Sequence, residues 1–242
     1  MKITVIGGSG FIGSHVSDIL SNQGHKVKIF DKNKSKWIRK DQELQKGDIF
    51  NYKDLDRAIK NADIVYNFAA LSDMNEALNQ PIQTVRSNIL GTVNALDICR
   101  KYKIKRFIHA STIYANSNDG GFYRCSKKAA EDYVDEYNKI YGINYTILRY
   151  GTIYGPRSDH TNSVNRIIKN AILEGKITYM GNKKSMREYI HVVDAAQASV
   201  DVLKNKFKNK YVIITGKKSI KVFQFLKVLA KILKISKKIN FK

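Results

Sequence analysis

Short apolar segments alternate with longer amphipathic stretches along the first 150 residues of the chain. The apolar segments predict strands at Lys2–Ile6, Val27–Phe30, Ile64–Phe68, Arg106–Ala110 and Tyr145–Arg149. The amphipathic stretches predict helices at about Phe11–Gln23, Asp54–Lys60, Ile82–Lys101 and Lys127–Ile140. Because parallel neighbours need a crossover connection, this alternation predicts an α/β fold with a Rossmann-like doubly wound parallel sheet. Its ligand crevice is expected at the carboxyl ends of the strands.

The alternation becomes less regular after residue 150, which predicts a domain boundary there. We expect a nucleotide-binding domain over 1–150 and a small substrate-binding lobe over 151–242. The later stretches predict helices at Thr161–Leu173, His191–Lys204 and Val222–Leu233, and a strand at Tyr211–Thr215. We expect the helix over 191–204 and the strand over 211–215 to return to the main sheet.

The charge of the chain is concentrated at its C-terminal end. The net charge is +22, and 13 lysines but no acidic residue follow Asp201. Such an end could hold RNA, anionic lipid or an acidic sugar nucleotide. The lysines are spread rather than aligned with aromatic residues, however, and Lys, Asn and Ile are frequent throughout. We interpret the charge as compositional bias and expect neither a nucleic-acid nor a membrane partner.

Cysteine and histidine spacing excludes two further classes of protein. Cys99 and Cys125 are isolated, which predicts neither a disulfide framework nor a zinc site. The five histidines show no ligand spacing, so we expect no metal. No apolar stretch reaches the roughly 18 residues of a membrane span. The first strand begins at residue 2 without a signal peptide before it, which favours a cytoplasmic protein.

A glycine-rich turn joins the first predicted strand to the first predicted helix. Residues 7–13 are Gly-Gly-Ser-Gly-Phe-Ile-Gly, which matches GxGxxG from Gly8 onward. The glycines permit a tight turn and let a pyrophosphate approach the amides at the helix N-terminus. Asp31 follows the second predicted strand, where its carboxylate can accept hydrogen bonds from both ribose hydroxyls and repel a 2′-phosphate. Together these features predict NAD, rather than NADP, as the cofactor.

Tyr123 and Lys127 form a candidate proton-transfer pair. Their i, i+4 spacing places both side chains on one face of a helix. A free tyrosine, with a pKa of about 10, is a poor base, but a nearby ammonium and a positively charged nicotinamide both favour the phenolate. Ser111 and Thr112 follow the strand that ends at Ala110, and a hydroxyl there can hydrogen-bond the reacting oxygen. Chemistry alone does not separate Ser111 from Thr112.

These residues occur in order with several further motifs. They are Gly47-Asp48-Ile49, Phe68-Ala69-Ala70, Asn88-Ile89-Leu90-Gly91-Thr92, Leu148-Arg149-Tyr150 and Arg187-Glu188-Tyr189-Ile190-His191. Over about residues 1–235 the chain resembles the extended short-chain dehydrogenase/reductases, specifically the NAD-dependent epimerase/dehydratase family typified by UDP-glucose 4-epimerase. The combination of motifs is specific, although each motif alone is weak.

The resemblance implies a role for each matching position. Tyr123, Lys127 and Thr112 would be catalytic, with Tyr123 transferring the proton and Lys127 also holding the nicotinamide ribose. Thr112, Asn162 and Arg187 would bind the substrate, with Arg187 gripping the sugar-nucleotide diphosphate. The cofactor would be held by Gly7, Gly10, Phe11, Ile12, Gly13, Asp31, Lys32, Asp48, Ile49, Phe68, Ala69, Ala70, Asn88, Tyr123 and Lys127.

The chain also departs from the family pattern. Ala115-Asn116-Ser117 stands where epimerases usually have Val-Tyr-Gly, and only ten residues separate Thr112 from Tyr123. Ile113 and Tyr114 replace the Asp-Glu pair of the 4,6-dehydratases, which argues against dehydration. Compared with the family the chain is short at its C-terminal end, as a truncated or a compact member would be.

The resemblance favours one function and leaves two alternatives open. The favoured function is an NAD-dependent nucleotide-sugar epimerase of the UDP-hexose 4-epimerase kind, acting as a homodimer. One alternative is a nucleotide-sugar 4-keto reductase, or another NAD-dependent sugar-nucleotide oxidoreductase, that uses the same tyrosine and lysine. The other is an NAD-binding scaffold whose basic C-terminal end binds RNA or lipid.

Overall fold

The computed structural model describes residues 1–235 and 239–241, and the chain divides into two compact units. The first unit comprises Met1–Tyr150 with Val193–Ile214. The second comprises Gly151–Val192 with the chain from Thr215 onward. Among the described residues, no helix combines the length and the apolar character that crossing a membrane requires.

A seven-stranded parallel sheet forms the centre of the first unit. Its strands are β1 (Lys2–Ile6), β2 (Lys26–Asp31), β3 (Gln42–Lys46), β4 (Ile64–Asn67), β5 (Arg106–Thr112), β6 (Tyr145–Tyr150) and β10 (Lys210–Ile214). They lie in the order β10-β6-β5-β4-β1-β2-β3, with every neighbouring pair parallel. This confirms the predicted fold class. The strand order reverses beside β1, the position at which such sheets open a ligand crevice.

Helices connect the strands of the first unit and cover its sheet. They are α1 (Phe11–Asn22), α2 (Tyr52–Ile59), α3 (Met74–Asn79), α4 (Pro81–Val85), α5 (Gly91–Lys101), α6 (Gly121–Tyr141) and α8 (Val192–Asp201), the last beginning in the second unit. Apolar side chains of α2, α5 and α6 pack on the sheet in one buried cluster with Phe107 and Ile147. The carboxyl ends of β1, β2, β4 and β5 therefore belong to a sheet that is held by this packed cluster. The sheet is the part of the fold that positions the site.

The second unit is built from short strands and two helices. The strands are β7 (Thr152–Tyr154), β8 (Thr178–Tyr179), β9 (Met186–His191), β11 (Ser219–Lys221) and β12 (Asn240–Phe241). The helices are α7 (Ser163–Glu174) and α9 (Val222–Ile232), which share a small apolar core through Ala171, Leu226 and Leu229. β9 lies between β7 and β11 in a three-stranded sheet.

Several predicted elements differ from the observed ones. The helix predicted from Lys127 begins at Gly121, so it includes Tyr123. The helix predicted over 82–101 is interrupted by a π-helical turn at Arg86–Leu90. His191 was predicted to begin a helix but ends β9. β3 was not predicted, because Leu44 is its only apolar residue and pairing with β2 alone defines it.

Candidate functional site

The glycine turn after β1 is so tightly packed that two of its positions exclude any side chain. Gly7 has φ +76°, and a Cβ there would lie 2.6 Å from the Ala69 backbone nitrogen. A Cβ on Gly13 would lie 2.3 Å from the Gly7 carbonyl oxygen. The turn is closed by the Gly10 amide, which donates to the Gly7 carbonyl at 3.1 Å. Gly7 and Ala69 are far apart in the sequence, and the fold brings their backbones into contact.

The start of α1 leaves amide groups available for a ligand. Gly10 precedes the helix in extended backbone, and in the described part of the chain no side chain caps α1 and no acidic residue lies in its first turn, which begins with Phe11 and Ile12. The positive end of a helix dipole with unsatisfied amides attracts an anion such as a pyrophosphate.

Asp31 ends β2 beside this turn. Its Oδ2 accepts a hydrogen bond from the Ser9 amide at 3.0 Å, and its Oδ1 accepts one from the Asn33 amide at 3.0 Å. The carboxylate is therefore held in place by the backbone, and each oxygen has a further lone pair for a ribose hydroxyl. Lys32, the next residue, is exposed.

Two further segments that were predicted to contact the cofactor are held by contacts within the first unit. Asp48 accepts the Phe50 amide at 2.9 Å, and Ile49 packs against Gly91, where a Cβ would lie 3.1 Å from Ile49 Cγ2. Phe68, Ala69 and Ala70 follow β4. The Phe68 amide donates to the Ile6 carbonyl at 2.8 Å, which joins this segment to β1.

Asn88, in the π-helical turn, is fully buried and all its polar atoms are engaged within the protein. Its Oδ1 accepts from the Leu71 amide at 2.7 Å. Its Nδ2 donates to the Leu71 carbonyl at 3.0 Å and to Ser126 Oγ at 2.9 Å. Asn88 therefore supports the segment after β4 rather than presenting its own amide to a ligand. Ser126 in turn donates to the Tyr123 carbonyl at 2.8 Å, so the same amide also steadies α6 beside Tyr123.

Ser111 and Thr112 have different surroundings, because successive strand residues face opposite sides of the sheet. Ser111 Oγ donates to Glu131 Oε1 at 2.6 Å and is fully committed as a donor. Thr112 Oγ1 accepts from the Tyr114 amide at 3.3 Å, which leaves its own proton available. The geometry thus favours Thr112 as the hydroxyl that could contact a reacting oxygen.

Lys127 is anchored at the end of β5. Its side chain is buried, and Nζ donates to the Ala110 carbonyl at 2.8 Å. Burial lowers the pKa of Lys127 to about 8, and Glu131 opposes that shift. Tyr123 lies one turn earlier on α6, where burial and the neighbouring Tyr114 raise its pKa to about 12. Without a bound cofactor Tyr123 is therefore a phenol at neutral pH, and Lys127 is mostly protonated at pH 7 and loses its proton at about pH 8.

Asn162 and Arg187, the two predicted substrate-binding residues of the second unit, occupy different settings. Asn162 caps α7, with Oδ1 accepting from the Asn165 amide at 3.0 Å and Nδ2 donating to the Ile153 carbonyl at 2.8 Å. Arg187 lies on β9 and donates from Nη1 to its neighbour's carbonyl at 2.8 Å. Asn162 thus has a structural role within its unit, while the guanidinium of Arg187 keeps further donors.

Sequence reasoning missed Glu131. This buried carboxylate links α6 to the sheet through Ser111 and through Arg149, whose Nε and Nη2 donate to its two oxygens at 2.9 and 2.6 Å. One signal was present, since Glu131 follows Lys127 at the same four-residue spacing that separates Tyr123 from Lys127. In the described residues, no group of three or more His, Cys, Asp or Glu side chains could hold a metal ion.

The described residues fit a bound dinucleotide. Because Gly13 has no Cβ, the start of α1 packs closely against the Gly7 carbonyl, as a glycine turn that binds a pyrophosphate requires. The amides at the start of α1 have no side-chain cap and are available to bind that pyrophosphate. The carboxylate of Asp31, at the end of β2, is held by two backbone amides and keeps lone pairs that could accept hydrogen bonds from ribose hydroxyls. The first unit therefore has the features of a dinucleotide site, with Thr112, Tyr123 and Lys127 around β5 and α6 of the same unit.

Comparisons with known proteins agree with the observed fold. A family model described as "NAD dependent epimerase/dehydratase family" matches residues 3–214. The chain is 34% identical over 245 residues to the "Putative UDP-glucose 4-epimerase" of Methanocaldococcus jannaschii, covering 90% of this chain and 78% of that protein. It is 29% identical over 252 residues to the dTDP-D-glucose 4,6-dehydratase of Dictyostelium discoideum, covering 88% of this chain and 58% of that protein. The UDP-glucose 4-epimerase of Thermotoga maritima, solved with UDP-glucose, superposes with a TM-score of 0.90 at 28% identity, covering 100% of this chain and 85% of that chain.

Proposed function

The chain belongs to the NAD-dependent epimerase/dehydratase family, and we propose that within this family it is a nucleotide-sugar epimerase that inverts C4 of a UDP-hexose. One observation carries the proposal: Lys127, one turn after Tyr123 on α6, is bound to the Ala110 carbonyl of β5, the strand that ends at Thr112, whose hydroxyl proton is not engaged by the Tyr114 amide. A dinucleotide-binding scaffold has no need of this arrangement. The relatives named as UDP-glucose 4-epimerases support the substrate class.

Each of the three side chains has a distinct task in this proposal. Tyr123 takes the proton of the 4-hydroxyl while the hydrogen on C4 leaves as hydride, and it returns the proton after the sugar has turned over. Thr112 donates a hydrogen bond to the same oxygen and keeps it within reach of Tyr123. The ammonium of Lys127 favours the phenolate. Bound NAD would supply a reversible hydride acceptor, and its positive charge would favour the Tyr123 phenolate against the burial that raises the pKa of Tyr123.

Ile113 and Tyr114 support epimerisation over dehydration within the family. A 4,6-dehydratase needs an acid and a base to remove water from C5 and C6. Here the residues that follow Thr112 form a short 3-10 helix, Ile113–Asn116, with no carboxylate in it. We therefore assign the chain to the epimerases, not to the dehydratases, of its family.

Incubation of the purified protein with UDP-glucose tests this function. We expect UDP-galactose to appear without added NADH, because the hydride removed from C4 is returned to it. NADH-dependent reduction of a 4-keto sugar, with no epimerisation, would instead show the reductase alternative. Conversion to a 4-keto-6-deoxy sugar would identify a dehydratase.

Asp31→Ala should weaken NAD binding. A hydrogen bond to a charged group contributes roughly 1.5–3 kcal/mol, so we expect the dissociation constant to rise about ten- to hundredfold. Titration calorimetry with NAD checks this. Asp41→Ala is the matched control, since Asp41 is an exposed carboxylate paired with Arg39. Unchanged NAD affinity in Asp31→Ala would show that the ribose is bound elsewhere.

Thr112→Val and Ser111→Ala should have different effects. Thr112→Val removes the proposed positioning hydrogen bond, worth about 0.5–1.5 kcal/mol, so we expect turnover to fall roughly two- to twelvefold. It also removes the acceptor of the Tyr114 amide, so we expect a loss of stability of about 1 kcal/mol. Ser111→Ala leaves Glu131 Oε1 short of a donor, so we expect it to destabilise the fold by roughly 1–2 kcal/mol. Steady-state kinetics and urea unfolding of both variants measure these effects. A larger loss of turnover in Ser111→Ala would reverse the assignment of the two hydroxyls.

We also propose that the protein is a homodimer. Large apolar side chains of α4 and of the π-helical turn are exposed, namely Ile82, Val85 and Leu90. Ile140 and Tyr141 are exposed at the end of α6. Such surface on adjacent long helices is suited to pairing with the same helices of a second copy. Light scattering checks this: we expect the wild type to have the mass of a dimer and Ile82→Glu to have the mass of a monomer.

A further inference from the structure

Glu131 is a charged side chain with no water contact, in a position that the proposed reaction does not use directly. It is 0% exposed, and Arg149 binds it through two parallel hydrogen bonds of 2.9 and 2.6 Å. Ser111 donates a third bond at 2.6 Å. Three donors on two strands therefore hold one carboxylate of α6. A buried charge is retained only where such partners compensate its desolvation.

The same strand that holds Glu131 also holds Lys127. Lys127 Nζ donates to the Ala110 carbonyl, and the next residue, Ser111, donates to Glu131. The two side chains are one helical turn apart on the buried face of α6. Two adjacent residues of β5, Ala110 and Ser111, thus bind side chains from two adjacent turns of α6. The position of Lys127 relative to β5 therefore depends on the hydrogen bond between Ser111 and Glu131.

The charged and titratable groups around Lys127 come from four elements. On α6 they are Tyr123 and Glu131, and on β5 the group is His109, whose pKa is lowered well below 6.5 by burial and by Lys127. On β6 the group is Arg149, and on β10 Tyr211 stacks on the Arg149 guanidinium at 4.3 Å. Tyr211 also hydrogen-bonds Asp135 of α6. Of these, Glu131 is the one whose charge favours the Lys127 ammonium.

We propose that Glu131 is a positioning residue that keeps Lys127 charged and in place beside Tyr123. The proposal rests on the function proposed above for Lys127. Burial alone drives a lysine toward the neutral form, and a neutral amine gives the Tyr123 phenolate no electrostatic support. Glu131 acts through Lys127 and does not contact the substrate. Arg149 and Ser111 hold the Glu131 carboxylate in place through three hydrogen bonds, which fixes its position relative to Lys127.

Lysine titration by NMR, on protein labelled with ¹³C at lysine Cε, tests this directly. Lys127→Met identifies the Lys127 resonance. In the wild type we expect it to titrate at about pH 8. In Glu131→Gln we expect its pKa to fall by about 1 unit, because an opposite charge nearby raises a lysine pKa by about that much. Glu136→Gln is the matched control, as Glu136 is an exposed carboxylate of the same helix paired with Lys139. It should leave the pKa of Lys127 unchanged.

The pH dependence of turnover provides the second readout. The alkaline limb of kcat should move to lower pH by the same amount in Glu131→Gln and return in Glu131→Asp, which restores the charge. A role in packing alone would lower kcat at every pH without moving the limb. An unshifted Lys127 titration in folded Glu131→Gln overturns the proposal.

The NMR titration requires that the Glu131→Gln variant folds. If Glu131→Gln does not fold in buffer, sucrose, which favours the compact state, is added to the wild type and to the variant alike. The pKa of Lys127 should still be lower in Glu131→Gln under these conditions, and an unchanged pKa there also overturns the proposal. The NMR titration needs no substrate, so the two proposals can fail separately. If the pKa of Lys127 is lower in Glu131→Gln than in the wild type but the wild type does not epimerise UDP-glucose, the proposed function is refuted and the link between Glu131 and Lys127 remains.

Discussion

Replacing Tyr123 with Phe should lower turnover roughly 10²–10⁴-fold, the range expected for a positioned proton-transfer group. The substitution removes only the hydroxyl, so NAD binding and stability should stay close to those of the wild type. Steady-state kinetics with UDP-glucose, together with titration calorimetry for NAD, measure both. The matched control is Tyr133→Phe, which removes an exposed hydroxyl from the same helix. If Tyr123→Phe kept wild-type turnover, another group would have to carry the proton.

The high pKa of Tyr123 also predicts how turnover depends on pH. At about 12 in the absence of a ligand, the phenol stays protonated throughout the neutral range. Only the positive charges of Lys127 and of bound NAD bring it within reach of neutral pH. We therefore expect the acid limb of kcat to report Tyr123 in the complex and to be absent from any residual activity of Tyr123→Phe.

Lys127→Met should stabilise the folded protein at pH 7 and abolish most of its activity. The pKa of Lys127 is lowered from 10.5 in the unfolded chain to about 8 in the buried site. At pH 7 both states are protonated, and confining the ammonium in the fold costs roughly 3 kcal/mol. Methionine avoids that cost but loses the bond to the Ala110 carbonyl, so we expect a net gain of about 1–3 kcal/mol.

The sign of the pH dependence distinguishes this effect from simple repacking. Between pH 8 and 10.5 the unfolded chain binds the proton that the buried Lys127 has released, so the stability of the wild type rises with pH across this window. The advantage of Lys127→Met should therefore shrink from pH 8 upward and vanish near pH 10.5. Urea unfolding at pH 7 and pH 10.5 measures it, with Lys128→Met, an exposed neighbour paired with Asp132, as control. A variant less stable than the wild type at pH 7 would contradict the account.

The sequence predicted the parts of the fold that have strong local patterns. β1, β4, β5 and β6 are almost entirely buried because both faces of a parallel sheet are covered, and the short apolar segment that each contains is enough to locate it. β3 is different: its residues are mostly polar, and it exists because its backbone completes the edge beside β2. The start of α6 was also predicted too late, since Gly121 gives no helix signal and the helix follows from its packing.

The site was predictable where one local segment defines a function and not where distant segments meet. The glycine turn and the Tyr123–Lys127 pair each lie within one segment of sequence, and their types and spacing suffice to suggest the chemistry. The choice between Ser111 and Thr112 depended on what each hydroxyl contacts, which only the fold shows. Glu131 and Arg149 lie 18 residues apart on a helix and a strand, so their pairing could not be inferred from either residue alone.

The fate of the hydrogen on C4 tests the central claim most directly. In an epimerase of this kind, the hydride that leaves C4 returns to C4 of the same sugar while Tyr123 removes and restores the hydroxyl proton. UDP-glucose labelled with deuterium at C4 should therefore give UDP-galactose that retains the deuterium at C4, with no label released to water and no added NADH consumed. Loss of the label to solvent, or formation of product only with added NADH, would contradict the assignment of this chain as an epimerase.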